Sequence, residues 1–212
     1  MKHVLALSTL YPNPVNPRFG TFVARSLEAL AKRGDWRVTL VNPIGLPPLA
    51  LGRYRPLADL PAVSEEGGIT VHRPRFTLIP RIGARRNAGA IARACLPLVR
   101  RIHAATPIDM LDAQFFFPDG PAAAAIAQAM GQPLSIKARG SDISFWGEQD
   151  FARKQMLGAA QTATGMLAVS RDLAGQMAAM GMDAERITVH YTGLDRDRFR
   201  PFGHTQLRAQ LS

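Results

Sequence analysis

At 212 residues, with 47% hydrophobic side chains and both signs of charge, the chain can bury a sizeable core, which excludes a disordered tail. A lone Cys95 excludes a disulfide framework, and no window is long and apolar enough to span a bilayer. The formal charge of +10 points to an anionic partner (nucleic acid, lipid head groups or a phosphorylated substrate) or to a merely solvated Arg-rich surface.

Val4–Ser8 is a compact apolar run and reads as a first β-strand rather than a leader peptide. The loop from Thr9 to Phe19 holds Pro12, Pro14 and Pro17, which forbid helix and ladder alike. Gly20-Thr21 opens a helix over Phe22–Arg33, with Phe22, Val23, Leu27 and Leu30 on one face and Gly34 at its end. Gly20 either offers bare backbone N–H groups to an anion or simply turns the chain. Arg37–Val41 is a second strand. Pro43 to Glu66 lacks any period and reads as a long excursion with room for one short helix. Ile69–Arg73 is a third strand, and Pro74 to Arg81 is irregular. Gly83–Ala105 reads as a long basic helix that Pro97 should kink or divide. Its residues Arg85, Arg86, Arg93, Arg100 and Arg101 suit an anionic surface or a solvated face; with Arg73, Arg75 and Arg81 they form a basic run.

The stretch from Ile108 to Trp146 organises the rest. It holds a strand (Met110–Gln114), a loop with Pro118-Asp119-Gly120, a helix (Pro121–Met130), a strand (Leu134–Ala138) and a loop, Arg139-Gly140-Ser141-Asp142. This is the βαβ unit of a parallel sheet, and ligands sit beyond the carboxyl ends of such strands. Both polar loops fall at that edge, and each carries one Gly and one Asp. A helix over Phe151–Gln161, a strand over Met166–Val169, a helix over Arg171–Met180 capped by Ser170 and a strand over Arg186–His190 follow. About seven strands alternate with helices. The expected fold is α/β, a Rossmann-like doubly wound parallel sheet.

These residues, in this order, resemble the N-terminal half of a retaining glycosyltransferase of family 4, built on the GT-B plan of two Rossmann-like domains facing a cleft. The landmarks are Gly20-Thr21-Phe22, then Asp112-Ala113-Gln114 with Pro118-Asp119-Gly120, then Arg139-Gly140-Ser141-Asp142, and last Val189 to Asp195 with Phe199-Arg200-Pro201. The resemblance implies a domain over 1–201, with 202–212 leading into a donor-binding domain. It implies transfer of a sugar from a nucleotide-sugar to a glycan or lipid-linked acceptor with retention. Asp119 and Asp142 become the candidate catalytic groups, orienting hydroxyls or acting as base if burial raises a pKa; a turn or a helix cap is the alternative for each. Gly20, Thr21, Gln114, Arg139, Gly140 and Ser141 become candidate substrate contacts. Gln114 and Arg139 stand where relatives carry His, so no titrating role passes to them; Arg139 can instead grip a phosphate.

No H-x-H or Cys/His spacing suggests a metal, and no cofactor is expected. The basic helix and apolar excursion suggest a cytoplasmic protein peripheral to the inner face of the membrane, with an anionic surface as partner. A stand-alone module binding an anionic ligand without catalysis is the alternative. Nucleic acid ranks last, since neither zinc-finger spacing nor an aromatic-rich basic strand is present.

Overall fold

The structure, a computed structural model, describes residues 1–79, 83–194 and Phe199. Arg81, Asp195, Arg200, Pro201 and the stretch 202–212 lie outside the described residues.

The chain runs through β1 (Lys2–Leu7), α1 (Thr21–Lys32), β2 (Trp36–Val41), β3 (Ile44–Leu46), α2 (Arg55–Ala58), β4 (Val63–Glu66), β5 (Ile69–His72) and β6 (Arg75–Thr77). It continues through α3 (Ala84–Ala105), β7 (Met110–Ala113), α4 (Asp119–Met130), β8 (Leu134–Ala138), α5 (Ser141–Ser144), α6 (Asp150–Thr162), β9 (Gly165–Ala168), α7 (Arg171–Met180) and β10 (Ile187–Val189). Eight strands form one sheet in the order β10-β9-β8-β7-β1-β2-β5-β4, parallel except for β4 at the edge. The expected doubly wound α/β sheet is present. Among the described residues no helix is long and apolar enough to cross a membrane.

Strand alternation sorts the core into two layers. Val4, Ala6, Val38, Leu40, Ile69 and Val71 pack against Val23, Ala24 and Leu27 of α1. On the opposite face Leu5, Leu111, Ala113, Ile136 and Met166 meet α3, α4 and α6 through Ile91, Val99, Ile126 and Met156. Each fully buried aliphatic side chain adds about 2 kcal/mol relative to exposure, so both layers are needed to hold the sheet.

Four local expectations are corrected. The excursion after β2 carries two strands: β3 pairs in parallel with β6 as a separate ribbon, and β4 pairs antiparallel with β5. That also removes the irregular reading of Pro74 to Arg81, because Arg75–Thr77 is β6. Pairing between distant segments stabilises these short strands, and no local period reports it. The third correction concerns charge. Arg73 is buried, paired with Glu66 and donating to Ser64 Oγ at 2.7 Å, while Arg75 donates to the Arg73 and Leu60 carbonyls. These two arginines anchor the excursion and do not belong to a basic surface. Last, α3 runs through Pro97 as one helix; Pro97 is exposed, where water can meet the carbonyl its missing N–H leaves free.

Candidate active site

The order of the sheet reverses between β1 and β7, so the crevice beyond their carboxyl ends is the topological switch point where ligands bind in such sheets. The loops after β1, β7 and β8 meet there. Asp119 and Asp142 tie them together.

Asp119 lies in the first turn of α4, not in a loop, and has no solvent exposure. Thr9 donates to it twice, from N–H at 3.0 Å and from Oγ at 2.8 Å. Asp142, equally buried within α5, accepts from Phe116 N–H at 2.8 Å, Gly140 N–H at 2.8 Å and Arg139 N–H at 3.0 Å. Neither carboxylate faces solvent. In the structure each carboxylate ties loops together: Asp119 locks the β1 loop to α4, and Asp142 locks the β7 and β8 loops together.

Arg139 is the group these locks hold. Its Nε donates to the Gln114 carbonyl at 3.0 Å, its Nη2 meets Gln114 Oε1, and its guanidinium lies over the Phe22 ring, 5.0 Å from the centroid. Gln114 in turn donates to Asp112, is buried, and braces Arg139. With the Nε–Nη2 edge committed to Gln114, an anion would approach Arg139 end-on. Gly140, at φ 130°, adopts a backbone conformation that side chains rarely take and that re-aims the loop after β8. Ser141 is exposed at the start of α5, and Thr21 is half-buried as the first residue of α1. Gly20 is buried at φ 71°, and a Cβ there would lie 2.5 Å from the Leu10 carbonyl carbon. Close packing against Leu10 and Tyr11 is thus the first reason for this glycine.

Sequence reasoning missed Thr9, Asn42, Lys137 and His190, and gave Asp112 no role. Lys137 Nζ lies 2.7 Å from His190 Nδ1. Burial pushes Lys137 down to about 8, with Arg139 adding to the effect and Asp112 opposing it. Burial pushes Asp112 up to about 6 against its bonds from Ser135 and Gln114. The signal was available: Asp112 on β7 and Ser135 and Lys137 on β8 alternate with the core positions, and Gln114 and Arg139 follow directly after those strands at the same two-residue spacing. Among the described residues no group of three His, Cys, Asp or Glu comes together as a metal site.

Burial raises the Asp119 carboxyl to about 7, against the two Thr9 bonds, with Asp142 adding to the rise. A carboxyl raised on folding adds stability below its unfolded pKa and loses it as pH rises through the folded value. Asp119→Asn copies the protonated form: its amide can donate to Thr9 Oγ while its oxygen accepts from Thr9 N–H. Thermal melts of the wild type are expected to fall between pH 5 and pH 8, and the variant's curve to be flatter. Parallel curves would contradict this ionisation.

The family model for Glycosyltransferase Family 4 matches residues 19–198. The chain belongs to glycosyltransferase family 4. The family 4 chain is 26% identical over 203 residues to a Bacillus subtilis (strain 168) protein assigned provisionally to teichuronic acid biosynthesis as the glycosyltransferase TuaC, covering 93% of this chain and 51% of that protein. Among solved structures, Anabaena Alr3699/HepE in complex with UDP and glucose superposes with a TM-score of 0.60 at 18% identity, over 100% of this chain and 50% of that one. Sucrose-phosphate synthase from Thermosynechococcus elongatus gives 0.67 at 14%, over 100% and 52%. These likenesses show the Rossmann-like fold of a GT-B half. The family 4 chain spans about half the length of the relatives it matches.

Proposed function

We propose that this chain is the acceptor-side half of a glycosyltransferase that moves a sugar from a nucleotide-sugar to a hydroxyl of a glycan or lipid-linked acceptor, with retention of configuration. The observation that carries this is Arg139, a half-buried guanidinium fixed by Gln114 and Phe22 at the carboxyl edge of a switch point. A fixed cation there meets the charge that develops on a departing diphosphate, and its orientation is set before the reaction begins. HepE, which shares the fold, was solved with UDP and glucose, and the name of TuaC supports a polysaccharide acceptor. In this reading residues 1–201 form the acceptor domain and 202–212 lead toward the part that grips the donor. Transfer needs no metal, because Arg139 and backbone N–H groups near Gly20 supply the positive field.

The acceptor is presented at the cytosolic face of an anionic membrane. Arg85, Arg86 and Arg93 are exposed on α3, and Leu49 and Leu51 are exposed on the excursion whose β3–β6 ribbon leads into that helix. Each basic residue near an anionic surface contributes about 1 kcal/mol. Replacing Arg85, Arg86 and Arg93 together with Ala is therefore expected to weaken binding to phosphatidylglycerol-containing liposomes by roughly 100-fold. Unchanged sedimentation with the liposomes would remove the membrane from the account. Donor turnover by the full polypeptide that carries this chain tests the transferase itself; its absence with every nucleotide-sugar supplied would leave a binding module.

A further inference from the structure

We propose that a cavity beside this edge holds an uncharged pyranose of the acceptor, and that Asn42 reads one of its hydroxyls. The proposal rests on the acceptor-half reading and names the acceptor's chemistry. The cavity, of about 320 Å³, lies between the β1 loop, the excursion after β2 and the start of α3. Such a volume suits a small ligand. Its polar wall consists of Thr9, Asn13, Asn16, Asn42, Tyr54 and Asn87, with Phe19 and Phe76 among the apolar residues. Among the described residues no Asp, Glu, Lys or Arg lines it, in a chain that carries 26 basic and 16 acidic residues.

Four carboxamides offer donors and acceptors without charge, which matches a ring of hydroxyls. A carboxylate or phosphate placed there would lose water and gain no cation from the described residues that line it. Asn42 is the decisive side chain. It is 1% exposed, and its Nδ2 donates to the Ser8 carbonyl at 2.7 Å, which fixes the orientation of the amide. Its Oδ1 is buried and has no hydrogen-bond partner among the described residues. A buried carbonyl oxygen without a donor destabilises the empty site, and a ligand hydroxyl satisfies it. Thr9 and Pro118 also line the cavity, and Thr9 Oγ is the group bonded to Asp119. The bound ring therefore lies beside the loop that Asp119 fixes.

The test is saturation-transfer NMR of the 212-residue chain with methyl glucopyranoside, methyl N-acetylglucosaminide and methyl glucuronide as probes. The two neutral glycosides are expected to bind and the glucuronide to bind at least about tenfold more weakly. Asn42→Ala is expected to reduce neutral-glycoside binding roughly tenfold. Asn87→Ala, on the surface of α3, is expected to weaken it too and guards against misfolding of the first variant. Binding of the glucuronide as strongly as the neutral probes, no binding of either neutral probe, or binding unchanged in both variants would overturn the proposal. The transferase reading fails separately. If the full polypeptide transfers sugar while the glucuronide binds best, only the neutral-ring inference falls. If neutral glycosides bind and no nucleotide-sugar is turned over, the cavity stands and the transferase reading falls.

Discussion

Replacing Asp142 with alanine is expected to destabilise the fold by about 4 kcal/mol and to lower Tm by roughly 10 °C. Three backbone N–H groups from two loops converge on this one carboxylate, with distances of 2.8 to 3.0 Å. Removing it strands donors that have no water to turn to, because Asp142 has no solvent exposure. Each stranded donor costs about 1–3 kcal/mol, with some relaxation on a loop. Asn should be nearly as harmful as Ala. Oδ1 faces the Gly140 and Arg139 N–H groups and Oδ2 faces Phe116 N–H, so an amide nitrogen meets a donor in either orientation. Burial raises the Asp142 carboxyl even against these bonds. Chemical denaturation reads the difference. A loss below about 1 kcal/mol would show that the two loops hold their shape without it.

Gly20→Ala is expected to destabilise by about 3 kcal/mol. Two terms add. A residue with a Cβ in the left-handed region costs about 1–2 kcal/mol, and Gly20 sits at φ 71°. The new methyl would also lie 2.5 Å from the Leu10 carbonyl carbon and 2.7 Å from Tyr11 N, and backbone cannot swing aside as a side chain can. Gly131→Ala is the control. Its φ is 65°, but nothing lies within 4 Å of its Cβ position, so only the conformational penalty of about 1 kcal/mol should appear. Equal losses in the two variants would mean that the Leu10 contact is unimportant. Because α1 begins at Thr21, a shift at Gly20 also moves Phe22 off Arg139 and should reduce activity beyond the loss of stability.

The long elements were legible because their patterns are local. The period of α1, the apolar runs of β1 and β8, and Ser170 capping α7 through Leu173 N–H all follow from neighbours in sequence. The ribbon of β3 and β6 was not legible, since three-residue strands are held by partners about thirty residues away. At the site, residue types point to the loops after β7 and β8 but carry no information on which way their side chains turn. Asp119 and Asp142 look like exposed turn acids in Pro-Asp-Gly and Gly-Ser-Asp, yet both point inward to collect backbone donors. Gln114 reads as a substrate contact, and the fold adds that it is buried and holds Arg139. Asn42 gave no signal at all: it follows β2 as an ordinary polar residue, and only the fold places it in a cavity.

The central claim is that Arg139 serves sugar transfer at this edge. The most direct measurement is transfer of labelled sugar from a panel of nucleotide-sugars to membrane acceptors by the full polypeptide, compared with its Arg139→Ala variant. The account predicts transfer by the wild type and a drop of about 100-fold or more in kcat for the variant, the scale of losing one fixed electrostatic group. Melting temperatures should stay within a few degrees. Transfer by Arg139→Ala at the wild-type rate would contradict it.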